Sequence, residues 1–323
     1  MSEEKTLQPQ EREVDAIDRV THVVKNFVET PVERRGFLKQ AATLTAAAAA
    51  GASVFRDAKA HGLSFDEFFQ KHYKQLTPED KTRILKRIEK EIKEDYGVDV
   101  TVDDPPPLAG VKFGYFLNLL KCNSNRLCIE AYRKENNLDE SISYIKVLEM
   151  DHGHFNLEKS DQYFTGTVPK PGKFYMPVQC HQCENAPCVK ACPIKATWTE
   201  PDGIVVIDYN WCIGCRYCMV ACPYEARSFN FKKPKPAAIN PDQSYLSNRV
   251  RPMGVVEKCT YCLQRTRKGR YPACLEACPT GARKFGNLLD PKSDVSTIFK
   301  EKKLYILKEE LNTIPRFYYY FDE

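Results

Sequence analysis

The chain has 323 residues, 42% hydrophobic and 28% charged, which is enough apolar material for a packed core and excludes general disorder. Forty-eight basic against 43 acidic residues leave a net charge of +5, a thin basis for a nucleic-acid partner, and none is expected. No run of 18 apolar residues occurs, so a conventional transmembrane helix is excluded, while 14 cysteines point to disulfides, metal or clusters.

In chain order, residues 1–60 read as a targeting leader. A polar stretch ends in Glu33-Arg34-Arg35-Gly36-Phe37-Leu38-Lys39, an Ala-rich segment runs from Ala41 to Phe55, and Ala58-Lys59-Ala60 offers a small-x-small cleavage pattern. The paired arginines followed by a weakly apolar stretch resemble a twin-arginine export signal, which implies a protein exported folded to the periplasmic face of the cytoplasmic membrane. Residues 61–110 read as a helical extension and linker. Residues 63–104 look helical, with Thr77 as N-cap, Pro78 at the first helical position, Gly97 at the end, and Ile84, Leu85, Ile88 and Ile92 as an apolar stripe. Pro105-Pro106-Pro107 reads as a stiff linker. From Val111 the pattern changes to short strands between cysteine loops. Val111–Leu120 and Ile142–Glu149 are expected strands, and Pro201-Asp202-Gly203 should turn a hairpin between 197–200 and 204–208. Residues 299–323 are expected to form a partner-binding tail. Its aromatic run Tyr318-Tyr319-Tyr320-Phe321 either folds back onto the domain or enters a partner.

The cysteines fall into four groups. The second, Cys180, Cys183, Cys188 and Cys192, is followed by Pro193. The third, Cys212, Cys215, Cys218 and Cys222, has gaps of two, two and three residues and is followed by Pro223. The fourth, Cys259, Cys262, Cys274 and Cys278, is followed by Pro279. The first keeps only Cys122 and Cys128, with Asn125 and Tyr132 where a second and a fourth cysteine would stand. Two-residue gaps let thiolates wrap one small core, and in ferredoxin-type folds the cysteine before proline ligates the other cluster of a pair. Repeated Cys-Pro endings have no disulfide rationale, and three successive groups of four do not suit structural zinc. Iron–sulfur chemistry remains.

Several stretches resemble the four-cluster ferredoxin-type subunits of membrane-bound respiratory oxidoreductases. That family includes the electron-transfer subunits of dimethyl-sulfoxide, polysulfide and tetrathionate reductases, with relatives in alternative complex III and the redox complexes of sulfate reducers. The stretches are Cys180-His181-Gln182-Cys183 through Pro193, Asp202 through Asp208, Cys212-Ile213-Gly214-Cys215-Arg216-Tyr217-Cys218 through Arg227, Lys258-Cys259-Thr260-Tyr261-Cys262, and Glu310 through Tyr320. The resemblance implies an α+β fold over residues 111–298, with two ferredoxin-like modules of the double 4Fe–4S type beside the helical N-terminal extension. It implies one 4Fe–4S cluster on Cys180, Cys183, Cys188 and Cys222, and a second on Cys212, Cys215, Cys218 and Cys192. A third site would use Cys259, Cys262 and Cys274 with Tyr132 at the substituted position. A fourth would use Cys122, Cys128 and Cys278 with Asn125. Each of these outer sites could take a 4Fe–4S or a 3Fe–4S cluster, or be empty.

No Gly-x-Gly-x-x-Gly, P-loop or Cys-x-x-Cys-His occurs, so nicotinamide, flavin, nucleotide and covalent haem have no sequence case. His152 and His154 read as a solvated surface pair, and His181 as a residue that shapes the field between two ligands. The chain has conductors and no catalytic residues of its own. It is expected to relay electrons between an integral membrane quinone-binding subunit and an outer redox subunit, a molybdopterin-type protein or a multihaem cytochrome. A free periplasmic polyferredoxin and a structural assembly subunit are the alternatives.

Overall fold

The computed structural model describes residues 72–322; the twin-arginine leader and the first part of the extension lie outside them. The first helix, α1 (Pro78–Tyr96), starts where its cap dictates. The Thr77 hydroxyl accepts the Asp80 N–H at 3.1 Å and the Asp80 carboxylate accepts the Thr77 N–H at 3.3 Å, a reciprocal capping box. Gly97, at φ 68°, closes the far end in the left-handed region. Ile84, Ile88 and Ile92 are buried on one face and Leu85 packs beside them.

The helix is shorter than the 63–104 pattern suggested. Beyond Gly97 the chain enters β1 (Thr101–Asp103), which pairs in parallel with β8 (Asp242–Ser244), a partner too distant in sequence for local periodicity to reveal. Glu89 on α1 accepts the Val102 N–H at 2.9 Å, and Arg267 donates to the Pro105 carbonyl at 2.8 Å. Helix and proline run are thus fastened to the domain that follows.

Each cysteine group sits between two strands. The first follows β2 (Phe113–Asn118), includes α2 (Leu127–Glu135) and precedes β3 (Lys146–Asp151). The second follows β4 (Lys173–Val178), includes α3 (Pro187–Lys190) and precedes β5 (Thr197–Thr199). The third follows β6 (Val205–Ile207), includes α4 (Tyr217–Val220) and precedes β7 (Ser228–Phe229). The fourth follows β9 (Val256–Glu257), includes α5 (Leu263–Thr266) and α6 (Ala273–Glu276), and precedes β10 (Arg283–Asn287). The pairs β3·β4, β5·β6, β7·β9 and β10·β2 are all antiparallel, so the four units close in a ring. The expected hairpin around Pro201-Asp202-Gly203 is the β5·β6 pair.

The C-terminal residues are built into this framework. After α7 (Asp294–Glu301), β11 (Leu304–Tyr305) pairs with β12 (Phe317–Tyr320), and β12 runs parallel to β2, giving the sheet order β10-β2-β12-β11. Phe317 and Tyr319 are fully buried, so the aromatic run folds back, while Leu311, Ile314 and Phe321 stay exposed.

Candidate metal centres

The four cysteine loops share one backbone device. Two positions after the first cysteine of each group the chain takes a positive φ, at Ser124 (60°), Gln182 (45°), Gly214 (71°) and Tyr261 (54°). This left-handed residue breaks the strand and curls the chain around a small volume. Gly214 has no alternative, because a Cβ there would lie 2.1 Å from the Gly254 carbonyl oxygen. The Cys-Pro endings repeat as well. Lys195, Glu225 and Gly281 all have positive φ, and their N–H groups return to the carbonyls of Cys192, Cys222 and Cys278 at 3.3, 3.2 and 3.4 Å. The first group lacks that turn: with Tyr132 in place of cysteine, α2 runs on to Glu135.

The sulfurs converge across groups. Burial pushes the Cys183 thiol up to about 12, and the neighbouring Cys180, Cys188 and Cys222 add to that shift, so these four lie together. Cys222, last of the third group, likewise faces Cys180 and Cys188. Cys212 lies near Cys218 on α4, which packs against α3 carrying Cys188; Cys192 follows α3 directly, and Cys215 is exposed. Cys259, Cys262 and Cys274 line one small pocket that also meets Tyr132. Cys122, Cys128 and Cys278 line another that includes Asn125. Helices α2 and α6, carrying Cys128 and Cys274, pack together as α3 and α4 do. Cys259 also lies close to Cys180, and the two loops are tied by Gln182, whose amide donates to the Cys259 carbonyl at 2.8 Å.

Both substituted side chains are engaged elsewhere. The Tyr132 hydroxyl accepts the Tyr144 N–H at 2.9 Å and sits 2.6 Å from the Ser143 hydroxyl, with its ring stacked on Tyr144. The Asn125 carbonyl oxygen accepts the Leu127 N–H at 3.1 Å and its amide donates to Asn123 at 2.8 Å. Each outer cavity is therefore left with three thiols.

The donor set suits clusters. All 14 cysteines are free of disulfides, and among the described residues no three His, Cys, Asp or Glu side chains are grouped to hold a single metal ion. The thiols surround volumes rather than points. Burial pushes Cys122 up to about 11 and Cys262 to about 12, so holding either as a thiolate would take a compensating positive charge such as a bound metal would supply. Arg227 is buried with its Nε and Nη1 unpaired, while Nη2 reaches Cys188 Sγ at 3.0 Å and Thr197 Oγ1 at 3.1 Å. Unused donors on a buried guanidinium beside thiols are the complement of an anionic, sulfide-bearing group.

His181 is sandwiched between Tyr224 and Phe317, and burial lowers its pKa to about 3, so at neutral pH the imidazole adds no charge between Cys180 and Cys183. His152 and His154 are exposed. Spacing rules overlooked Arg227 and Arg283. The available signal was the repeated Ala-Arg that ends Cys222-Pro223-Tyr224-Glu225-Ala226-Arg227 and Cys278-Pro279-Thr280-Gly281-Ala282-Arg283.

Comparison with known proteins gives the family. The 4Fe-4S dicluster domain family matches residues 172–238 and 245–288. The protein is 40% identical to the Hdr-like menaquinol oxidoreductase iron-sulfur subunit 1 of Archaeoglobus fulgidus, over 59% of its own length and 71% of that relative. It is 35% identical to the iron-sulfur cluster-binding subunit of menaquinone reductase from Nitratidesulfovibrio vulgaris, over 65% and 88%. With the iron-sulfur subunit of arsenate respiratory reductase from a Shewanella species it shares 33% identity over 65% and 96%.

Proposed function

Because the chain belongs to the 4Fe-4S dicluster family of reductase iron–sulfur subunits, we propose that it is the electron relay of a quinone-linked respiratory complex. The observation that carries this reading is the contiguity of the four sites. The Cys212 site adjoins the Cys180 site through α3 and α4, Cys180 adjoins Cys259, and the Cys259 site adjoins the Cys122 site through α2 and α6. When bound, iron–sulfur clusters supply one-electron carriage; the chain supplies thiolates, burial and spacing.

We read the ring of units as two ferredoxin-like modules. The second and third groups form one, inserted between the halves of the other, formed by the first and fourth. The Cys180 and Cys212 sites each have four thiolates for a 4Fe–4S cluster, with Cys222 and Cys192 exchanged between them. The Cys259 and Cys122 sites have three thiolates each and take 3Fe–4S clusters. Iron and acid-labile sulfide analysis should then give about 14 irons per chain, with a 3Fe–4S signal in paramagnetic resonance of the oxidised protein. A count near eight would mean empty outer sites and would sink the four-site relay.

The partners are an integral membrane quinone-binding subunit at one end and an outer redox subunit, a molybdopterin-type protein or a multihaem cytochrome, at the other. Exposure of Cys215 together with Ile213, Tyr217 and Val220 supports electron exchange with a docked protein at the Cys212 end, because a shuttle would gain nothing from baring those apolar side chains. The Arg34-Arg35 leader supports work on the periplasmic side after export of the folded, cluster-loaded chain.

A further inference from the structure

Arg227 and Arg283 occupy equivalent places in the two site pairs. Each lies five residues after the last cysteine of its group, and they are only 5% and 3% exposed. Each places Nη2 on the cysteine at the third ligand position of a neighbouring group: Arg227 on Cys188 Sγ at 3.0 Å, Arg283 on Cys128 Sγ at 3.5 Å. Each guanidinium also lies close enough to act on a cysteine of the companion site, Cys218 for Arg227 and Cys274 for Arg283. Among the described residues neither forms an ion pair with a carboxylate. Arg227 keeps two nitrogens unpaired, whereas Arg283 Nη1 is engaged by Gln179 at 3.0 Å and Tyr115 at 3.2 Å.

A buried cation without a carboxylate partner is costly, and surrounding anions must compensate it. Here the nearby candidates are thiolates of two sites at once. We propose that Arg227 and Arg283 are shared positioning charges, each raising the reduction potential of both clusters whose ligands it adjoins. The inference rests on the sites holding clusters. A fixed positive charge favours the more negative, reduced state of any cluster near it, and hydrogen bonds to ligand sulfur act in the same direction. One guanidinium adjoining two sites therefore moves both potentials together and keeps the intervening electron step close to level. With its unpaired nitrogens free for a cluster, Arg227 has the stronger effect.

The test is a redox titration followed by paramagnetic resonance on the purified complex, with iron content measured on the same samples. In Arg227→Gln the potentials of the Cys180 and Cys212 clusters should both fall while the outer two hold. Arg283→Gln should do the converse, by a smaller amount. Arg227→Lys keeps the charge, loses the fork, and should lower the same two potentials less. Unmoved potentials at full iron content, a shift confined to one cluster of the pair, or an equal fall of all four would each overturn the proposal. If Arg227→Gln loses iron, Arg227→Lys decides by the same criteria. A wild-type complex without clusters in this chain would overturn the proposed function instead.

Discussion

Replacing Cys222 with serine is expected to damage the site of Cys180, Cys183 and Cys188 and to leave the site of Cys212, Cys215 and Cys218 intact. By sequence Cys222 belongs with the latter, so a purely local reading predicts the opposite. The fold reverses that reading because the third group ends in a Cys-Pro turn. Glu225, at φ 50°, carries the chain away from α4, and the Cys222 thiol joins Cys180 and Cys188. A serine hydroxyl is a poor substitute for thiolate, so the altered site should drop to a 3Fe–4S cluster or lose it, a fall of about one to four irons per chain. Cys183→Ser and Cys215→Ser are the references. Resonance spectra and iron content of Cys222→Ser should match the former; a match to the latter would refute the exchanged ligand set.

The second large effect is a gain. Asn125→Cys should convert the 3Fe–4S cluster proposed for the Cys122 site into a 4Fe–4S cluster, adding about one iron per chain and removing that site's oxidised 3Fe–4S signal. The loop is already shaped for it, since Ser124 has the left-handed conformation found at Gln182, Gly214 and Tyr261, each of which directly precedes a cysteine. Its cost is the bond from the Leu127 N–H to the Asn125 side chain, about 0.5–2 kcal/mol for a lost helix-start partner. Tyr132→Cys is the less favourable restoration. It would remove a buried ring stacked on Tyr144 and strand the Tyr144 N–H, at a cost of roughly 3–5 kcal/mol. Unchanged iron content and an unchanged signal in Asn125→Cys would show that position 125 does not face the cluster.

What was legible in the sequence was local. Thr77, Pro78 and Gly97 gave both ends of α1, since capping depends on residues within one turn, and Pro201-Asp202-Gly203 gave the β5·β6 hairpin. Cysteine spacing located the loops for the same reason. The illegible features depend on distant partners. Past Gly97, residues 101–103 gave no local sign of a strand, because their partner Asp242–Ser244 is remote in sequence. The aromatic tail was ambiguous because its place beside β2 is a pairing across about 200 residues of chain, which no periodicity reports. For Arg227 and Arg283 the sequence offered only a repeated Ala-Arg, because an arginine beside a Cys-Pro ending says nothing of its burial.

Net charge is a further case. The +5 of the composition treats thiols as neutral, whereas each four-thiolate cluster adds roughly −2, so the basic excess is a counterweight to the buried sites. Arg227 and Arg283 show where part of that counterweight lies.

The relay is tested most directly by rapid-freeze paramagnetic resonance of the detergent-purified membrane complex after mixing with quinol or with the reduced outer partner. This chain should remain in the complex, and its clusters should change oxidation state within the time of one turnover, in whichever direction the complex runs. Turnover at full rate while every cluster of this chain stays in its resting state would contradict the relay, and would leave the chain a structural subunit.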